Sequence, residues 1–208
     1  MLVIGLTGSI GMGKSAAAAH FARAGVPVFN ADAEVHRLYG GEAVPLIEAA
    51  FPGVTRGACV DRELLAREVA PSPEKLKQLE RIVHPLVVKA EIAFLREQEA
   101  KGAKLALLEI PLLFETGAET HVDVTVVVSA PEAVQKQRVV ARPGMSEAKL
   151  AGLLARQLPD AKKRARADFV VDTGKTLADM QAQIDTLIES LKGRKGRVME
   201  RLRLEQGR

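Results

Sequence analysis

The chain has 208 residues, 47% hydrophobic and 27% charged, with one cysteine and no tryptophan. That is enough for one domain with a real core, or a domain plus an insertion. The lone Cys59 excludes an internal disulfide and fits a reducing, cytoplasmic setting, while no apolar run approaches the ~18 residues of a membrane span. The net charge of +4 suggests nucleic acid at first sight, yet six Lys or Arg against two Glu from Gly193 onward carry all of it. Residues 1–192 are neutral overall, and no aromatic residues interleave with the basic ones, so no nucleic-acid footprint is expected.

In chain order, MLVIGLTG reads as a strand over Leu2–Leu6 rather than as a signal peptide, because it lacks a basic leading segment. A glycine-rich stretch follows, Gly8-Ser-Ile-Gly-Met-Gly13-Lys14-Ser15, and then a helical pattern over Lys14–Ala24. Val26–Phe29 is the second strand. Residues 31–103 then show helical periodicity and no clear strand, punctuated by Gly40-Gly41, Pro52-Gly53 and Pro71-Ser72-Pro73. Within this insertion Lys75–Ala100 is one helical pattern that Pro85 is expected to bend or split.

Lys104–Ile110 and Val122–Val128 are the third and fourth strands. A helix is expected from Pro131 to Arg142, with Pro131 at its first position. A short, basic, helical second insertion covers 141–167, and Asp168–Val171 is the fifth strand. In the last helix, Leu177–Leu191, residues Leu177, Met180, Ile184, Leu187, Ile188 and Leu191 share one face, and Thr176 with Asp179 resembles a capping box. The basic tail 193–208 is expected to be a frayed helix or a solvated end.

The strands are nearly continuous apolar runs, as strands of a parallel sheet buried on both faces are. Alternation with helices predicts an α/β fold, a doubly wound five-stranded parallel sheet. The region 1–192 is one domain carrying two helical insertions. Nothing in the pattern fixes an oligomeric state.

Gly8–Ser15 fits G-x-x-x-x-G-K-[ST], in the required context of a strand before and a helix after. Glycines let backbone N–H groups converge on phosphate oxygens, and the helix N-terminus adds its dipole. In such a loop Lys14 reaches the β- and γ-phosphates and Ser15 ligates Mg²⁺. Gly8, Gly11, Met12, Gly13, Lys14, Ser15 and Ala16 are therefore the expected nucleotide contacts. A rival reading uses Gly11-x-Gly13-x-x-Ala16 as a dinucleotide fingerprint, with Asp32 on a ribose hydroxyl. That loop is shorter and needs neither Gly8 nor the Lys-Ser pair. Four scattered histidines and one cysteine offer no metal-ligand spacing.

Seven elements in order carry a resemblance: Gly8–Ser15; Asn30-Ala31-Asp32 with Arg37; His84-Pro85; Ile110-Pro-Leu-Leu-Phe-Glu115; Gln137-Arg138 with Arg142; Arg156-Gln157; and Ala167-Asp168. Together they resemble dephospho-CoA kinase, over about residues 1–192. The resemblance implies a P-loop kinase of the nucleoside and nucleotide kinase type, phosphorylating the ribose 3′-hydroxyl of dephospho-CoA with ATP and magnesium. Where the family usually carries Asp-Ala-Asp, this chain has Asn30-Ala31-Asp32, and where it usually has Asp, Glu109 ends the third strand. It usually has a second glycine where Ser9 stands, and often Asn near Asp172-Thr173. Another small P-loop kinase is the alternative enzyme. A nucleotide-binding switch is the non-enzymatic one, although a guanine-reading Asn-Lys-x-Asp is absent.

On this reading Asp32 orients, or deprotonates, the acceptor hydroxyl; as a bland alternative it caps the helix that follows. Glu109 is expected near the metal. Arg138 and Arg142, four residues apart, should share a helix face, with Arg156 on the next helix beside a packed face of Leu150, Leu153 and Leu154. Residues 141–167 would then be a lid whose arginines meet phosphate, with Lys162, Lys163, Arg164 and Arg166 merely solvated. The insertion 31–103 would grip the acceptor, with Arg37, Arg81 and His84 as candidates together with Glu115.

Overall fold

A computed structural model describes residues 1–206. The chain divides into two compact units, Met1–Phe29 with Leu95–Arg208, and Asn30–Phe94.

The first unit is built on β1 (Leu2–Thr7), which is buried along its whole length. The loop 8–13 and α1 (Lys14–Arg23) follow. Strand β2 (Val28–Asn30) leads out of this unit, and β5 (Leu105–Glu109), β6 (Val124–Ser129) and β7 (Phe169–Asp172) complete a parallel sheet in the order β2-β5-β1-β6-β7. Ile4 pairs with Leu107 on one side and Val124 on the other. The expected apolar runs are all present, shifted by a residue or two at their ends. Both faces are covered, which is why the runs do not alternate. The core joins Ile4, Leu6, Phe21, Leu107, Val126 and Val128 to α9 (Leu177–Leu191). Strands on either side of β1 leave the loop after it at the carboxyl end of the sheet, where open α/β sheets bind ligands.

α9 has the expected limits, and its capping box is formed by Thr176 and Asp179. Leu177 departs from expectation: as the first helical residue it points outward and is exposed. α6 (Glu132–Val140) begins one residue later than expected, with Pro131 as its N-cap, and ends two residues earlier. Arg142 precedes Pro143, whose ring disfavours helical backbone at the residue before it. The segment 141–167 holds α7 (Glu147–Leu154) and α8 (Asp160–Arg166). Leu150 is buried in α7, whereas Leu153 is exposed, so the packed face there is narrower than the sequence suggested.

Residues 207–208 of the tail lie outside the described residues; the described part is helical from Val198 rather than a solvated end. Residues Val198–Gln206 form α10, with Val198 and Met199 buried. Asp123 accepts the N–H groups of Arg197 at 2.6 Å and Val198 at 3.0 Å, and with its other oxygen that of Val3 at 2.9 Å. Arg201 donates to the Thr120 carbonyl and Arg203 pairs with Glu99, each at 2.6 Å.

The second unit is helical, as expected, with one correction. α2 (Ala31–Leu38) is followed by α3 (Val44–Ala50), and an antiparallel hairpin of β3 (Thr55–Arg56) and β4 (Cys59–Val60) joins α3 to α4 (Arg62–Val69). Strands of two residues carry too little alternation to be read from sequence. Helix α5 (Pro73–Ala100) runs into the first unit and is continuous through Pro85. An interior proline costs about 3 kcal/mol. Around it Leu79, Val83, Leu86 and Val87 pack with Leu38, Ile47 and Phe51, and that burial offsets the lost hydrogen bond.

Candidate active site

Gly13 is the N-cap of α1, with φ of 84° and no side-chain cap, so the first N–H groups of the helix are left for a ligand. Gly11, at φ +80°, has no room for a side chain: a Cβ there would lie 2.5 Å from Val139 Cγ2 of α6. The loop's backbone is thus drawn tightly against its surroundings, and two of its N–H groups are already taken, that of Ile10 by Gln157 at 3.3 Å and that of Met12 by the Ser9 carbonyl at 3.1 Å.

Gly8 and Met12 are buried, and Ser15 and Ala16 are exposed at the start of α1. Met12 puts its thioether in the core, where the sulfur accepts the N–H of Ala130 at 3.1 Å, and its own N–H donates to the Ser9 carbonyl, so it shapes the loop rather than offering a nucleotide contact. Lys14 Nζ donates to Glu109 Oε1 at 2.6 Å, and little of either side chain is exposed. Glu109 is the last residue of β5, which pairs with β1, so neighbouring strand ends bring the two together.

The carbonyl of Thr173, just beyond β7, accepts Arg138 Nη2 at 2.6 Å, and its hydroxyl lies 3.3 Å from Arg138 Nη1. That hydroxyl donates in turn to the Met12 carbonyl at 2.8 Å. Arg138 therefore reaches the phosphate loop through Thr173. Arg142 lies in the turn beyond α6, so the shared helix face does not form. Arg156 lies in the turn after α7 rather than on a helix. Both side chains are exposed and unpaired among the described residues.

Glu115 has a different setting from that expected of an acceptor contact. Its Oε1 lies 2.8 Å from Lys163 Nζ and accepts the Leu158 N–H at 2.7 Å. Burial pushes this carboxyl up, but the Lys163 and Leu158 hydrogen bonds outweigh it and leave it below the usual range. Lys163, expected to be solvated, is fully buried. Arg166, also expected to be solvated, sits 4.7 Å from the centre of the Phe114 ring and pairs with Glu119. Helix α8 is thus fastened to the segment after β5.

In the second unit Asn30 caps α2, its side chain accepting the Ala33 N–H at 2.8 Å. The cap position is thereby filled, and Asp32, two residues on, is exposed with no partner among the described residues. Arg37 is held by Glu34 at 2.6 Å and by Glu42 at 3.6 Å; the Glu34 hydrogen bond raises its already high pKa. Arg81 and His84 are exposed one turn apart on α5, unpaired among the described residues.

A sequence profile of the dephospho-CoA kinase family matches residues 2–179. The chain belongs to the dephospho-CoA kinase family. A dephospho-CoA kinase of Brucella melitensis is 58% identical over 194 residues, 93% of this chain and 97% of the relative. A crystal structure of a Thermus thermophilus protein is 37% identical with a TM-score of 0.82, covering 92% of this chain and 98% of that one. Dephospho-CoA kinase from Campylobacter jejuni is 22% identical and shares the fold, with a TM-score of 0.63 over 91% of this chain and 96% of its own. Membership of this kinase family disfavours the dinucleotide and switch readings of the glycine loop. Thr173 and Lys163 are the residues that sequence reasoning missed. Thr173 follows a strand end with no motif of its own, and Lys163 sits in a run of basic residues that reads as solvated surface.

Proposed function

We propose that this chain transfers the γ-phosphoryl group of ATP to the ribose 3′-hydroxyl of dephospho-CoA, giving CoA and ADP. The observation that carries the reading is the phosphate loop of a dephospho-CoA kinase family member, with Lys14 at its end held on Glu109. ATP lays its phosphates against the loop Gly8–Ser15 and the start of α1, on N–H groups other than those of Ile10 and Met12. Lys14 leaves Glu109 for the β- and γ-phosphates. Asp32 orients the 3′-hydroxyl and accepts its proton. The 3′-oxygen bonds to the γ-phosphorus, the bond from that phosphorus to the bridging oxygen breaks, and ADP leaves.

Charge develops on the transferring group, and fixed cations stabilise it. Arg142 and Arg156, unpaired among the described residues, are suited to that, with Arg138 anchored on Thr173. Closure of the segment carrying them would exclude water from a transferable phosphoryl group. The exposed Ser15 hydroxyl and the Glu109 carboxylate are hard oxygen donors of the kind magnesium takes. They would hold magnesium, which would supply charge neutralisation at the phosphates. Arg37, Arg81 and His84 are assigned to the acceptor, while the Lys163 pairing gives Glu115 a supporting role.

The test is incubation with ATP, Mg²⁺ and dephospho-CoA, following CoA and ADP. Equimolar CoA and ADP are expected. Turnover on a nucleoside with none on dephospho-CoA would sink the assignment.

A further inference from the structure

A phosphate loop works by the direction of its N–H groups, so whatever sets those directions contributes to catalysis. Ile10, inside the loop, is held from outside on both of its polar groups. Its carbonyl accepts Gln135 Nε2 at 2.7 Å, and its N–H donates to Gln157 Oε1 at 3.3 Å. An N–H can only donate and a C=O can only accept, so the partners dictate which amide atom is which. Gln135 is a buried residue of α6; Gln157 lies in the turn after α7, beside Arg156.

The two bonds belong to successive peptide groups, so together they fix φ and ψ of Ile10. In a planar trans peptide the C=O and the next N–H point in opposite directions. Holding the Ile10 carbonyl on α6 therefore aims the Gly11 N–H away from α6. Thr173 does the same one step on: by taking the Met12 carbonyl it aims the Gly13 N–H. The Gln157 bond differs in origin, because it comes from the segment that carries Arg156.

We propose that Gln135 and Gln157 are positioning residues for phosphoryl transfer. Acting through Ile10, they aim the Gly11 N–H at the ATP phosphates and tie that aim to the Arg156 segment. The proposal rests on the reading of this loop as an ATP site.

The test uses the full chain with Gln135→Met, Gln157→Met and the double variant; methionine is similar in length but makes neither bond. The readouts are the Kd for a non-hydrolysable ATP analogue, KM for dephospho-CoA, and Tm. Each single variant should weaken analogue binding about three- to tenfold, the range of one hydrogen bond. The double variant should lose less than the product of the two, because both act on one residue. KM for dephospho-CoA should stay within about twofold. Unchanged analogue binding overturns the proposal. So does equal weakening for both substrates with a fall in Tm, which marks a merely structural role, and so does strict multiplicativity. If Gln135→Met does not fold, the half-buried Gln157→Met decides the matter alone. A wild-type chain that binds the analogue but makes no CoA counts against the acceptor assignment and leaves this comparison standing.

Discussion

Lys14 Nζ lies 2.6 Å from Glu109 Oε1, and only 14% and 4% of the two side chains is exposed. The lysine that should meet ATP thus already has an anionic partner. On the proposed role of Lys14, nucleotide binding would exchange one anion for another, with Glu109 competing against the triphosphate for Lys14. Glu109→Gln removes the competitor. It should tighten ATP binding in EDTA about two- to fivefold, since a neutral amide holds the ammonium less well. It should also lower kcat with Mg²⁺ at least about tenfold, because a charged oxygen donor is lost. Calorimetry with and without magnesium checks the first, and CoA formation the second. Weaker ATP binding in EDTA would show that Glu109 prepares Lys14 rather than competing for it.

The contrast between Asn30 and Asp32 separates helix capping from the role proposed for Asp32. Asn30 supplies the cap of α2 and Asp32 has no partner among the described residues. Asn30→Ala should cost about 1 kcal/mol of stability, which is about 2–4 °C in Tm for a chain of this size. Its kcat should stay within a few-fold. Asp32→Asn should leave Tm almost unchanged, keep ATP binding within about twofold and lower kcat about 10²–10⁴-fold, the usual contribution of a positioned base. Near-normal kcat in Asp32→Asn would remove the base from the mechanism.

The five strands and the phosphate loop were legible because long apolar runs and a spaced glycine-lysine pattern are local signals. Thr173, Gln135 and Gln157 were not legible as parts of the loop's support. They meet Met12 and Ile10 across more than 120 residues of sequence, through polar types that look alike on any surface. Lys163 illustrates the same limit. It stands among Lys162, Arg164 and Arg166, and only the fold turns that one side chain inward onto Glu115. The hairpin at Thr55–Val60 was too short to show a period, and α5 survives Pro85 through packing that no local rule contains.

Lys163 is fully buried and its partner Glu115 partly so, and removing one partner should cost more than removing both. Lys163→Met leaves a carboxylate held only by the Leu158 N–H and should cost about 1–3 kcal/mol, less than for a fully buried pair. Adding Glu115→Leu should recover much of that. Burial works against the Glu115 charge, but its hydrogen bonds prevail and hold its folded pKa below the unfolded value near ~4.3. Its contribution is therefore full above the unfolded pKa and lost as pH falls through the folded one. Denaturant titrations from pH 7 to pH 3 should show Glu115→Gln, weaker at pH 7, converging on the wild type in acid. Parallel curves at all pH values would show that the carboxylate charge is irrelevant.

Asp123 lies at the amino end of β6, whereas the phosphate loop leaves the carboxyl end of β1, and those strands are parallel. The C-terminal helix that Asp123 fastens is therefore at the opposite end of the sheet from the phosphate loop, and its arginines serve docking rather than phosphate binding. Asp123→Ala strips the acceptor from Val3, Arg197 and Val198 together. Unsatisfied buried groups cost about 1–3 kcal/mol each, less where water can reach them. A fall in Tm of roughly 5–10 °C is expected, with kcat and KM for ATP within about twofold of wild type below the transition. Asp123→Asn keeps an oxygen acceptor and should lose less. Thermal denaturation and steady-state kinetics on the same preparations decide it. A loss of kcat at unchanged Tm would mean that the helix acts on the chemistry after all.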